Sequence, residues 1–264
     1  MNVKRLFFAP RDGGQTALSL AARVFNFILV GLLIALALYF SFQSLNYRWN
    51  WGAVYQYRQM FLDGWLTTIW ISLVALGLSI LIGLFFALGQ RSRFLPLYCF
   101  SKFYVELIRG TPLLVQILIF FYIVASAIHL ENRYVAGILI LAIFSGAYIT
   151  EIIRAGIESI GKSQLDSARA IGLTRLQTYR YVVLPQALRQ TLPPLAGQFV
   201  SLIKDSSLLS IIAISEFTLN AQEVNSYTFS TLESYLPLAV GYLLLTLPIS
   251  LWTRWLEKKM KYET

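Results

Sequence analysis

Residues 163–185 read SQLDSARAIGLTRLQTYRYVVLP, a polar stretch set between two apolar runs that are each long enough to cross a bilayer. Ser163 with Asp166 three residues on fits a capping box, a hydroxyl opening a helix and a carboxylate answering it. Leu165, Ala168 and Ile171 then recur every three residues on one helical face. Gly172 suits the residue that stops a helix, so a helix of about two turns is expected here. Thr174 and Gln177 can cap a second helix, expected to end at Pro185. Two capped helices make a rigid projection, and residues as small as Ala168 and Ala170 permit close approach of another protein. A tidy loop covering the ends of its neighbouring spans would read the same way.

The rest of the chain explains where such a projection would sit. Of 264 residues, 57% are hydrophobic and 13% charged, against about 25% charged in soluble domains. The apolar residues come in blocks, and blocks of roughly 20 span the hydrocarbon core of a membrane. Six membrane helices are expected: Val24–Phe42, Trp65–Leu88, Leu113–Ile128, Tyr134–Ile153, Leu192–Ile214 and Tyr235–Trp255. The first contains Ala35-Leu36-Ala37 but is followed by no small-x-small site, so it reads as a retained helix and not as a cleaved signal. Cys99 is the only cysteine, which excludes an internal disulfide and a cysteine cluster for zinc; it reads as a packed thiol, and the only histidine, His129, as a loop imidazole.

Charge gives the orientation. The net charge is +9, and 17 of the 22 basic residues fall on one side of these spans. Lys4, Arg5, Arg11 and Arg23 precede the first; Arg91, Arg93 and Lys102 lie between the second and third. Arg154, Lys162, Arg169, Arg175, Arg180 and Arg189 lie between the fourth and fifth, and Arg254, Lys258, Lys259 and Lys261 follow the sixth. Basic loops stay cytoplasmic, so both termini are expected inside. That placement accounts for the charge without nucleic acid as a partner. The opposite stretch from Glu216 to Glu233 carries three glutamates and no basic residue, and reads as an outer loop. Tyr47, Trp49, Trp51, Tyr55 and Tyr57 read as an interfacial aromatic anchor.

The 163–185 stretch resembles the signature loop of permease subunits of bacterial ABC importers, acidic-Ala-Ala-x3-Gly-x9-Ile-x-Leu-Pro. The spacing from Asp166 through Gly172 to Leu184-Pro185 matches in full, with Asp166 for Glu, Ser167 for Ala and Val182 for Ile. Val105-Glu106-Leu107-Ile108-Arg109-Gly110-Thr111-Pro112-Leu113-Leu114-Val115-Gln116, Ala147-Tyr148-Ile149-Thr150-Glu151-Ile152-Ile153-Arg154-Ala155-Gly156, Leu184-Pro185-Gln186-Ala187-Leu188-Arg189 and Lys204-Asp205-Ser206-Ser207-Leu208 resemble the polar-amino-acid branch, of histidine, glutamine, arginine and glutamate type. The resemblance implies an all-α integral membrane protein: a five-helix type I permease core, one extra N-terminal helix and a cytoplasmic coupling helix. Domains are then a cytoplasmic tail (1–22), the extra helix with the aromatic segment (23–59), the permease domain (60–258, coupling loop 163–185) and a cytoplasmic C-terminal tail (259–264). It further implies a second permease subunit, identical or related, a solute-binding protein, an amino-acid substrate, surrounding lipid, and ABC ATPase subunits that bind ATP and Mg. This chain would hold no cofactor, metal or catalytic residue, and it contains no Gly-x4-Gly-Lys-Ser/Thr phosphate loop. Leu165, Asp166, Ser167, Ala168, Arg169, Ala170, Ile171, Gly172, Leu184 and Pro185 would couple to the ATPase.

Polar groups within the spans are the remaining candidates, because an ionisable residue in hydrocarbon costs about 2.5 to 3.5 kcal/mol and needs a partner or water. Gln198, Ser201 and Asp205 fall on one face, with Lys204, Ser206, Ser207 and Ser210 alongside and Glu216 near the outer end. They suit a substrate path, a gate or ties between spans. Glu106 and Arg109 are spaced to pair, as are Glu151 and Arg154. Gly110, Thr111 and Pro112 then bend or interrupt the helix, which reads as a hinge beside the path. An ion-coupled secondary transporter, working through Asp205, is the alternative function. A membrane-embedded enzyme is disfavoured by the lack of paired acidic motifs, a histidine cluster or metal spacing.

Overall fold

The computed structural model describes residues 20–43 and 47–260. Lys4, Arg5, Arg11, Lys261, the chain up to residue 19 and residues 261–264 lie outside the described residues, as does the side chain of Arg23. Among the described residues there is no strand. The chain divides into two compact units at Trp49/Asn50. The first contains one helix, α1 (Leu20–Gln43). It is apolar on every side, without the water-facing stripe of a soluble helix.

The second unit runs through α2 (Trp51–Gln56), α3 (Arg58–Gly89), α4 (Leu95–Arg109), α5 (Leu113–Ile119), α6 (Arg133–Glu158), α7 (Lys162–Ala170), α8 (Arg175–Thr178), α9 (Leu184–Asp205), α10 (Phe217–Thr228) and α11 (Thr231–Met260). Single π turns extend α5 (Phe120–Ala125) and join α8 to α9 (Tyr179–Val183), and a 3₁₀ turn follows α9 (Ser206–Ile212). Five helical stretches are long and apolar enough to cross a membrane, and α4 with the Leu113–Ala125 segment forms a bent pair that brings the number to six. The six expected spans are therefore present; the third stops at Ala125, short of Ile128, and the fifth belongs to a helical stretch that begins at Arg175, well before Leu192, and finishes as a 3₁₀ turn at Ile212.

Packing in α3 follows a rule that hydropathy does not reveal. Gly64, Thr68, Ser72, Ala75, Ser79, Gly83 and Ala87 are all buried, at steps of three and four. Small side chains let helix backbones approach closely where lipid supplies no hydrophobic drive between helices. The core beside this stripe is built by Ile71, Ile117, Leu141, Ala147, Leu202, Leu209 and Ile214, from α3, α5, α6, α9 and the segment after α9.

The third span is broken, and the break explains itself chemically. α4 and the following segment meet at 109° across Gly110-Thr111-Pro112. A break inside a membrane frees carbonyls that need donors. Gln116 supplies them: its amide donates to the Ile108 carbonyl (2.7 Å), the Thr111 carbonyl (3.2 Å) and the Thr111 hydroxyl (2.7 Å).

Two expectations are corrected and a third gains detail. Residues 216–233, expected as an outer loop between the fifth and sixth spans, contain a helix, α10 (Phe217–Thr228), which buries Phe217, Asn220, Ala221 and Val224. Asn220 ties it to the Met60 carbonyl (2.7 Å), and the Thr68 hydroxyl accepts from Phe217 N–H (3.1 Å). Pro185 does not end a helix: the π turn at Tyr179–Val183 leads straight into α9, and Pro185 is the second residue of α9 in that continuous stretch. Cys99 is exposed on α4 and not packed. His129 does lie in a turn, with φ of 55°.

Candidate functional site

The projection at 163–185 is built from two helices whose ends differ from expectation. α7 begins at Lys162 with Gly161 as its cap and no side-chain hydrogen bond there, so the Ser163–Asp166 capping box does not form. Asp166 instead pairs with Arg169 at 3.2 Å. The far end is as the glycine suggests: Gly172 has φ of +81°, its N–H bonds the Arg169 carbonyl (2.9 Å), and Leu173 N–H bonds the Ala168 carbonyl (3.1 Å), which is a Schellman motif. The Thr174–Gln177 capping box is present in both directions.

The expected face of α7 splits. Ala168 is buried and Leu165 packs on a small core of Ile160, Val183 and Ala187, whereas Ile171 is 77% exposed. The close approach that Ala168 permits is thus to this chain itself. Leu176 is 78% exposed as well. Asp166, Ser167, Arg169, Ala170, Leu184 and Pro185 are exposed around them. Beneath, Gly156 lets α6 and α9 touch, since a Cβ there would lie 2.3 Å from the Thr191 methyl.

Arg109, Glu151 and Gln198, drawn from three separate motifs, line one cavity of about 520 Å³ between α4, α6 and α9. Arg109 does not pair with Glu106. The break at Gly110 leaves it at the end of α4 facing α6, where it lies 3.4 Å from the Glu151 carboxylate and 5.4 Å from the Tyr148 ring centre. Arg154 grips Glu151 with two bonds (3.0 and 2.8 Å) and reaches Glu158 at 2.5 Å. Gln198 donates to the Ser145 hydroxyl at 3.2 Å, tying α9 to α6. Glu106 lines a smaller neighbouring cavity of about 310 Å³ with Lys102, Glu151 and Arg154. An acid and two guanidinium groups around one space of this volume can hold a small molecule carrying both charges.

The Lys204–Asp205 group is placed elsewhere. Asp205 is the last residue of α9 and Ser206 opens the 3₁₀ turn. Lys204 is exposed, Asp205 and Ser201 are half-buried, and none of the three lines the cavity. The hydroxyls of Ser206, Ser207 and Ser210 donate to the carbonyls of Ile203 (2.8 Å), Lys204 (2.7 Å) and Ser207 (2.8 Å). These bonds occupy them at the change from α to 3₁₀ winding. Glu216 is fully buried and caps α10, accepting from Thr218 N–H (2.9 Å), Leu219 N–H (2.8 Å) and the Tyr242 hydroxyl (3.0 Å).

Sequence reasoning gave no separate role to Gln116, Tyr148 or Glu158. Gln116 had a signal, a lone amide five residues beyond Thr111 in an apolar helix. Tyr148 and Glu158 had none, because their value depends on Arg109 and Arg154 reaching them in space.

Residues 79–262 match the family model described as the binding-protein-dependent transport system inner membrane component. The chain belongs to this family. The permease is 35% identical over 212 residues to the probable glutamine ABC transporter permease protein of Bacillus subtilis (strain 168), covering 80% of this chain and 98% of that one. It is 35% identical over 216 residues to the glutamine transport system permease protein of Escherichia coli (strain K12), covering 81% and 99%. A crystal structure of an amino acid ABC transporter with histidines superposes with a TM-score of 0.75 at 34% identity, covering 81% of the permease and all of that chain. The permease therefore has the fold of an ABC importer membrane subunit, and its several apolar helices make it multi-pass.

Proposed function

We propose that this permease is the membrane subunit of an ATP-driven importer of polar amino acids, with substrate passing through the cavity at Arg109, Glu151 and Gln198. The observation that carries the reading is the direct helical link between loop and cavity. The stretch from Arg175 passes through the π turn into α9 without a break, and Gln198 sits on that same helix, about 20 Å from Pro185 at the rise of an α-helix. A push on the projection moves a wall of the cavity.

In this reading the exposed Ile171 and Leu176 enter a groove on a cytoplasmic ATPase subunit, with Asp166, Arg169 and Gly172 shaping the helix that presents them. ATP and Mg belong to that partner. A second permease subunit, identical or related, completes the path, and a solute-binding protein delivers substrate from the other face. Both termini are cytoplasmic, as the basic residues favour. Closure of the ATPase pair swings the projections and switches the path between its two openings. Arg109 offers its guanidinium to the substrate carboxylate and Glu151 its carboxylate to the ammonium. Lys204, Asp205 and Ser201 line the path farther along α9, and Glu216 fixes the outer end.

Reconstitution tests this. Proteoliposomes with the permease alone should not take up glutamine, histidine or arginine, and uptake should appear when the partner ATPase, binding protein and ATP are added. Uptake by the permease alone in ion-loaded vesicles would support the secondary-transporter reading instead. Gly172→Asp should lower co-purification of the ATPase while membrane insertion stays normal; undiminished co-purification would remove the loop from the docking surface.

A further inference from the structure

Beside the projection lies a cavity of about 420 Å³ with Arg91, Arg93, Arg169 and Arg175 in its wall and no carboxylate among its lining residues. Arg169 is answered by Asp166 at 3.2 Å. Among the described residues Arg91, Arg93 and Arg175 have no ion pair, and Arg91 reaches only the Tyr179 hydroxyl, at 3.5 Å. Three unanswered guanidinium groups in one small space repel one another, and the arrangement is relieved by an anion. Guanidinium forks match phosphate oxygens in geometry as well as charge.

The surroundings narrow the anion. The floor is apolar, with Ile160, Leu165 and Val183. Arg91 and Arg93 follow directly on the end of α3, a membrane span. The next residues, Phe94 and Leu95, are 66% and 69% exposed, as side chains facing lipid are. Tyr179 and Tyr181 are exposed alongside, and tyrosines settle at the headgroup level of a membrane. A soluble phosphate would meet the arginines but leave the exposed Phe94 and Leu95 uncovered. A phospholipid covers both. Ile171 and Leu176, the exposed apolar residues of the projection, are not part of this lining, although Leu165 and Arg169 of the expected coupling set are, so the pocket borders the docking surface and leaves its apolar tips free.

We propose that this pocket binds the phosphate of an anionic phospholipid, such as phosphatidylglycerol, in the leaflet that this end of the bundle faces. The lipid then pins the α3–α4 turn to the projection. Removing two arginines from a basic site at an anionic membrane surface corresponds to a loss of about thirtyfold in affinity.

Native mass spectrometry of the purified full chain, with equal amounts of phosphatidylglycerol and phosphatidylcholine added, tests the assignment. Wild-type chain should retain phosphatidylglycerol about tenfold or more over phosphatidylcholine. R93Q/R175Q should lose that preference, and R48Q/R58Q, with the same loss of charge elsewhere, should keep it. Arg93 and Arg175 are exposed and unbonded, so their replacement removes no packing; R91Q/R169Q, at the other half of the pocket, is a second variant expected to lose the preference. Undiminished preference in both pocket variants would overturn the site. Full displacement of the lipid by millimolar inorganic phosphate would assign the pocket to a soluble anion and overturn the lipid. Release of the lipid on adding the partner ATPase would mean that an acidic side chain of that protein fills the pocket, which also overturns it.

Discussion

At the scale of single residues, the permease depends on side chains that repair or permit an irregularity. Gln116 is the plainest case. Gln116→Leu keeps an apolar helix but strips the donors from the Ile108 and Thr111 carbonyls. Each buried group left unpaired costs about 1–3 kcal/mol, so the thermal midpoint of the detergent-solubilised variant should fall by several degrees. An unchanged midpoint would mean that water satisfies the break. Gly156 works by absence. Gly156→Ala puts a Cβ against the Thr191 methyl and should cost about 1–3 kcal/mol of overpacking. Thr191→Ser removes that methyl, so the double variant should recover most of the loss. Additive losses in such a cycle would show that the contact is not the cause.

At the scale of elements, charge pairs join the broken span to α6. Glu151 holds both Arg109 and Arg154. Replacing Glu151 leaves Arg109 unanswered in a partly dry site and Arg154 held by Glu158 alone. Glu151→Gln should therefore reduce reconstituted uptake more than ATPase docking, read as transport per bound ATPase. Equal loss of both would make Glu151 a structural tie and not part of the path. Asp205→Asn belongs to the same scale. Its carboxylate has no salt bridge or side-chain hydrogen bond among the described residues, so the variant should fold normally, and any change in uptake reports on the path. Normal uptake kinetics would take Asp205 out of it.

At the scale of the whole molecule, orientation is the open quantity that one experiment fixes. The chain has one cysteine, and it is exposed, so a Cys99→Ser background allows single reporters. A cysteine at exposed Ser163 should react with an impermeant reagent only in opened cells. One at Tyr227, 59% exposed at the end of α10, should react in intact cells. The opposite pattern would invert the topology and remove the projection from the cytoplasm.

The spans, the Gly172 stop and the Thr174–Gln177 box were legible in the sequence, because each follows from a local rule. Apolar length decides insertion, and a left-handed glycine or a reciprocal cap needs no distant partner. The Ser163 box failed at that same local scale because α7 starts two residues earlier than its signature marks, with Gly161 and not Ser163 at the cap. α10 escaped notice because its polar composition hides a buried face at Phe217, Asn220, Ala221 and Val224, although their spacing carried the signal. The partner of Arg109 was illegible for a different reason. Glu106 and Glu151 are equally acidic in the sequence, and only the bend at Gly110-Thr111-Pro112 turns the guanidinium towards one and away from the other. What the sequence determined by itself was which segments leave water and where helices stop, since those depend on neighbours in the chain. The tertiary structure alone decided which charges meet around a common space, because that depends on distances between helices which no local pattern encodes.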